Sequence, residues 1–151
     1  MTTTIHQRVS AARAGSNLTV ICRVPSGWVV LCDMQYLPGY VILLPDPVVG
    51  SLNALNRAQR AEYLCDMALV GDALLEVTGA FRINYAILGN TDPALHAHIV
   101  SRFLTEPDEY RKGPPWTYPK EVVDARMFDY ERDKELIQQL AVAIQNRLSA
   151  E

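Results

Sequence analysis

The sequence predicts an α+β fold: a five-stranded antiparallel sheet with one long helix packed on it and a further helix at each end. Three observations predict it. Five short runs rich in apolar and β-branched residues are separated by turn signals. One long helical stretch, 57–78, falls between the third and fourth runs. Amphipathic stretches lie near both ends of the chain. At 151 residues a single domain, 1–151, is the expectation, and that length can bury a real core.

In chain order, residues 4–14 form the first helix. Ile5, Val9 and Ala12 share one face, and Gly15 suits a C-terminal cap. His6 falls off that stripe and is expected to be exposed. Leu18 to Val24 and Trp28 to Asp33 form an antiparallel hairpin across Pro25-Ser26-Gly27. Tyr40 to Leu44 lies between Pro38-Gly39 and Pro45-Asp46-Pro47. It is apolar throughout and suits a strand buried on both faces. Residues 50–56 suit a helical turn.

The long helix begins at an Asn56 N-cap, with Gln59 three residues on as in a capping box, and ends at Gly79. Leu64, Met67, Ala68, Gly71, Leu74 and Leu75 form its predicted core stripe, with Cys65 beside it as an inert packed thiol. Arg82 to Leu88 is the fourth strand. Gly89-Asn90-Thr91-Asp92-Pro93 is a turn, and Leu95 to Phe103 is the fifth strand.

Residues 104–120 hold Pro107, Pro114, Pro115, Pro119 and Trp116 and read as one long loop. It directly follows the fifth strand, where it could fold over a ligand. Trp116 has three readings: a base or lid contact, a subunit-interface residue, or an anchor for its own loop. The last helix spans 130–148, with Asp129 as N-cap and a stripe of Leu136, Leu140, Ala143, Ile144 and Leu148.

The chain has three histidines, and two of them, His96 and His98, stand two residues apart on the fifth strand. Residues i and i+2 project to one face of a strand, so the two imidazoles point the same way, opposite Ala97 and Ile99. Three uses fit: metal ligation, a nucleophile with its helper, or ordinary half-buried side chains. A metal site would need at least one further ligand, with Asp33 as the carboxylate that would have to join.

The segment from Asn84 to Phe103 resembles the signature of the histidine-triad family, a Gly-Asn-Thr-type turn followed by His-x-His-x-His. Upstream, Asp33, the Pro38-Gly39 turn and the apolar run ending at Pro45 resemble that family's first conserved block. With the helix between them the two blocks cover about residues 17–120. Aligning Ser101-Arg102 on the family's Pro-Arg puts Ala94 at the first triad position, His96 at the second and His98 at the third. Tyr40 stands where many members carry a further histidine.

The resemblance implies a nucleotide hydrolase or transferase. His96 would attack the α-phosphorus of a dinucleoside polyphosphate or nucleoside phosphoramidate and form a nucleotidyl-histidine. His98 would assist, Asp33 would contact the ribose, and Asn90, Thr91 and Arg102 would lie at the phosphates. The family's orienting acceptor for the nucleophile is the backbone carbonyl of the first triad residue, which Ala94 also has. For Arg102 an ion pair within the domain is the favoured alternative. Two histidines are replaced, so a noncatalytic nucleotide-binding module is the other reading. No cofactor is implied, although a divalent cation can accompany a polyphosphate. Homodimers are common in the family.

Bulk properties set limits. Hydrophobic content of 49% and charged content of 21% are ordinary for a globular domain. A net charge of −3 gives no footprint for a nucleic-acid backbone. Cys22, Cys32 and Cys65 are sparse, odd in number and without Cys-x-x-Cys spacing, which fits a reducing compartment rather than a disulfide or zinc framework. No apolar run approaches the roughly 20 residues of a membrane span, and the first residues lack a signal-peptide core. A cytoplasmic location is the expectation.

Overall fold

The computed structural model describes residues 2–151. The five strands are β1 (Val20–Val24), β2 (Gly27–Leu31), β3 (Val41–Pro45), β4 (Arg82–Ala86) and β5 (Ala97–Arg102). They form one antiparallel sheet in the order β1-β2-β3-β5-β4. β5 therefore inserts between β3 and β4, and the histidine segment runs through the interior of the sheet. Most strands are a residue or two shorter than their sequence runs, because pairing stops where a partner strand turns away. Leu95, for example, donates its N–H to Val49 O outside the sheet.

Five helices complete the fold: α1 (Thr4–Arg13), α2 (Arg57–Thr78), α3 (Asp108–Arg111), α4 (Lys120–Asp124) and α5 (Tyr130–Ser149). α2 starts at Asn56, whose side chain accepts from Gln59 N while Gln59 Oε1 accepts from Asn56 N. It ends at Gly79 in the left-handed region, φ +70°. α5 starts at Asp129, which accepts from Arg132 N.

One face of the sheet is closed by α2 and α5. Val29, Leu31, Val41, Leu43, Ala97 and Ile99 meet Val70, Ala73 and Leu74 of α2 and Leu140 and Ile144 of α5. The predicted α2 stripe needs correction. Leu64 and Leu75 are exposed, and Tyr63, Asp66, Val70, Ala73 and Leu74 face inward. The helix is rotated because two of its polar groups find partners on the sheet side. Tyr63 donates its O–H to Leu43 O at 2.8 Å, and Asp66 accepts from Ser26 N at 2.8 Å. Gly71 lets the Tyr85 ring approach the helix; any Cβ there would collide with the phenol. Cys65 turns outward with Leu64 and is exposed, not packed.

The other face carries α1. Ile5 and Val9 pack on Val30, Leu44 and Ala94. His6 is half-buried and not the exposed residue expected. Its Nδ1 accepts from Thr3 N at 3.2 Å and closes the helix's capping box. The stretch 104–120 is not a structureless loop. It holds α3, a 3-10 turn at Pro115–Thr117 and the start of α4. Pro107 and Pro119 stand at helix starts, where a missing N–H costs nothing.

Candidate active site

The turn Gly89–Pro93 delivers the chain to β5 with Ala94 and Leu95 buried. His96 precedes the first paired strand residue, Ala97, so its ring emerges at the lip of the sheet. His98 lies within β5, opposite Ile42 of β3 and Ala86 of β4. The two imidazoles share a face, with ring centroids 5.0 Å apart and planes at 68°. Ala97 and Ile99 point into the α2 core, as the alternation requires.

Each ring has one nitrogen engaged. His96 Nδ1 lies 2.8 Å from Ala94 O. A carbonyl oxygen only accepts, so Nδ1 carries the hydrogen and Nε2 holds the free lone pair. His98 Nδ1 lies 2.7 Å from Tyr40 Oη. Burial, reinforced by the neighbouring His96, pushes the His98 imidazole down to about 4. It is neutral at pH 7. Burial also raises the Tyr40 phenol far above its ordinary value, so it stays protonated.

Asp33 follows β2 and is half-buried. Arg8 of α1 forms an ion pair with its carboxylate. Its backbone is fixed by Phe128 N, which donates to Asp33 O at 2.6 Å, and Gln35 N donates to Arg126 O beside it. The carboxylate lines an open hollow with Thr4, Arg8, Asn17 and Thr19. Asn90 and Thr91 are exposed on the turn ahead of His96, and neither side chain has a hydrogen-bond partner among the described residues.

Arg102 takes the alternative role. It is 2% exposed, and its guanidinium bonds Glu106 at 3.0 Å, Asn84 Oδ1 at 2.7 Å, and the carbonyl oxygens of Gly113 and Tyr110 at 2.8 and 2.7 Å. These donors are committed to holding the segment after β5. Burial would raise the Glu106 carboxyl, but Arg102, the Phe103 N–H and the Tyr118 O–H together hold it below the usual range. Trp116 is 55% exposed and is not the anchor of its loop. Tyr36 O–H to Pro115 O and Tyr118 O–H to Glu106 do that work. Trp116 lines a hollow of about 300 Å³ with Asn84, Ala86 and Val100, on the same sheet face as His98. A larger hollow, about 540 Å³ and lined by Arg82, Arg111 and Lys112, lies towards the far end of the β4–β5 pair.

Sequence reasoning missed Gln35, Glu106 and Tyr118. Gln35 is fully buried and staples the Pro38-Gly39 turn, with Nε2 donating to Cys32 O and Tyr40 O and Oε1 accepting from Gly39 N. Glu106, four residues beyond Arg102, was visible as an i,i+4 ion pair; the other two gave no sequence signal. No group of three or more His, Cys, Asp or Glu side chains able to hold a metal occurs among the described residues. No helix among them is long and apolar enough to cross a membrane.

The fold and site define an α+β protein with a paired-imidazole centre on the central antiparallel strands. Its structural likenesses agree. It superposes on a histidine-triad protein from Sinorhizobium meliloti with a TM-score of 0.67 and 25% identity, covering 84% of this chain and 87% of that one. A histidine-triad protein from Bradyrhizobium japonicum gives 0.67 and 25%, covering 88% and 95%. One from Marinobacter aquaeolei gives 0.73 and 21%, covering 97% and 98%. No sequence-family model matches the chain, and no curated protein matches it by sequence. The chain has the fold of the histidine-triad proteins, to which it is similar over most of its length.

Proposed function

We propose that the protein is a nucleotide hydrolase or transferase that cleaves at the α-phosphate of a dinucleoside polyphosphate or nucleoside phosphoramidate. The observation that carries this reading is the 2.8 Å contact between His96 Nδ1 and Ala94 O. It fixes the imidazole tautomer that leaves Nε2 nucleophilic, with no histidine needed at position 94. Nε2 forms an N–P bond to the α-phosphorus, and the bond to the leaving group breaks. Water then attacks the phosphorus, breaks the N–P bond and releases the nucleotide.

Asn90 and Thr91 supply donors to the phosphate oxygens. Asp33, held by Arg8, accepts from the ribose hydroxyls. Trp116 is a surface for a base or for a second subunit. β4 is an edge strand with Tyr85 42% exposed, which supports a homodimer whose sheets continue across a two-fold axis.

The test is chromatographic measurement of AMP released from diadenosine polyphosphates and an adenosine phosphoramidate. Release by the wild type and its loss in His96→Ala supports the reading. No release by wild type across that panel, or a His96→Ala variant as fast as wild type, overturns it. A noncatalytic nucleotide-binding module is the second reading, favoured by Tyr40 and Ala94 at positions that the family fills with histidine. It predicts AMP binding without release.

A further inference from the structure

Tyr40 stands just after the Pro38-Gly39 turn and is only 4% exposed. Its main chain is held on two sides. Tyr40 O accepts from Cys32 N at 2.9 Å and from Gln35 Nε2 at 2.7 Å. Gly39, at φ +87°, lets the chain turn tightly enough for Gln35 to close over it. The ring leans edge-on against Tyr36 at 6.2 Å and against His98 at 5.8 Å. The phenol is thus delivered to one place by a rigid framework.

That phenol has one hydrogen to donate. Among the described residues, His98 Nδ1 is its hydrogen-bond partner, at 2.7 Å. A hydrogen already on Nδ1 would leave the phenol's own hydrogen without an acceptor in a buried site, which native proteins rarely tolerate. The O–H therefore donates, Nδ1 accepts, and a neutral His98 must carry its hydrogen on Nε2. His96 has the opposite arrangement, with its hydrogen on Nδ1.

We propose that Tyr40 is a positioning residue: by donating to Nδ1 it locks His98 in the Nε2–H tautomer and presents that N–H beside the lone pair of His96. One face then offers a nucleophilic nitrogen and a fixed donor, with ring centroids 5.0 Å apart. The donor suits a non-bridging oxygen of a phosphoryl group under attack by its neighbour, where negative charge develops. No proton transfer from His98 is required. A histidine in place of Tyr40 could either donate or accept at this contact, whereas a protonated phenol with no other acceptor only donates. The kinetic consequence rests on the hydrolase reading; the tautomer does not.

The experiment is nitrogen-resolved NMR of the imidazoles in the free protein, with the signals assigned through His6→Gln and His96→Asn. The expected wild-type result is His98 in the Nε2–H form, with Tyr40→Phe populating both tautomers. In the same variant kcat for AMP release is expected to fall about ten- to a hundredfold, with KM held within about twofold. A wild-type His98 in the Nδ1–H form overturns the proposal, as do unchanged tautomer populations in Tyr40→Phe. The wild-type spectrum alone decides if Tyr40→Phe fails to fold. Absence of turnover together with the expected tautomers overturns the hydrolase reading and leaves the positioning role of Tyr40 standing.

Discussion

The two faces of the sheet are closed by different chemistry. Towards α2 and α5 the seal is apolar, with Val29, Leu43, Leu74, Ile99, Leu140 and Ile144 all fully buried. Towards the histidines α1 supplies an apolar cover at Val30, Leu44 and Ala94, and beyond it a polar network takes over. Arg102, Glu106, Tyr118, Gln35 and Tyr40 each hold a neighbouring segment through directed hydrogen bonds. Apolar burial is non-directional and tolerates repacking. A buried polar network tolerates little, because each member left alone bears its full desolvation cost. The first face builds the scaffold, and the second fixes where single atoms stand.

That contrast can be broken at several points. The largest expected effect is chemical. His96→Ala should lower AMP release by about a thousandfold or more while leaving the urea midpoint nearly unchanged. A large shift in the midpoint would show that the histidine face also carries scaffold stability.

Next is the polar seal itself. Glu106→Ala strands the buried Arg102 charge and should cost about 3–5 kcal/mol in urea unfolding. A loss under about 1 kcal/mol would mean that the segment after β5 is held by something else. On the apolar face, Leu74→Ala should cost about 2–5 kcal/mol and its exposed neighbour Leu75→Ala within about 0.5 kcal/mol. Equal costs would restore the stripe predicted from the sequence.

The smallest effect is a slope. The His98 pKa of about 4 in the fold lies below its ordinary 6.5, so as pH falls the unfolded chain binds the proton first. The stability contributed by neutral His98 is fully present above about pH 6.5 and is lost as pH falls towards 4. Stability against pH in His98→Gln should lack that part of the slope. An unchanged slope would show that His98 is not held neutral.

The sequence carried the scaffold well where its signals were local. The Asn56–Gln59 capping box, the Gly79 cap and the Asp129 N-cap depend on neighbours within a few residues, and all appear as expected. The face of α2 was misread because hydrophobicity ranks Leu64 and Leu75 above Tyr63 and Asp66. The sheet supplied Leu43 O and Ser26 N as partners and reversed that order. The same limit applied to the site. His96 and His98 could be placed on one face from their spacing alone. That Tyr40 reaches His98 across 58 positions, or that Arg8 reaches Asp33 across 25, depends on strand order, and no local pattern records it. Arg102 and Glu106 are four apart, and even there only burial shows that the pair closes the loop.

The most direct test of the central claim is to trap the nucleotidyl-enzyme. Wild-type protein would be mixed with an adenosine phosphoramidate, quenched in alkali, which preserves N–P bonds, and its mass measured intact and after digestion. The account predicts a gain of one adenylyl group, located on His96 and absent from His96→Ala. An adduct on His98, or full turnover with no adduct at the earliest quench times and undiminished activity in His96→Ala, would contradict it.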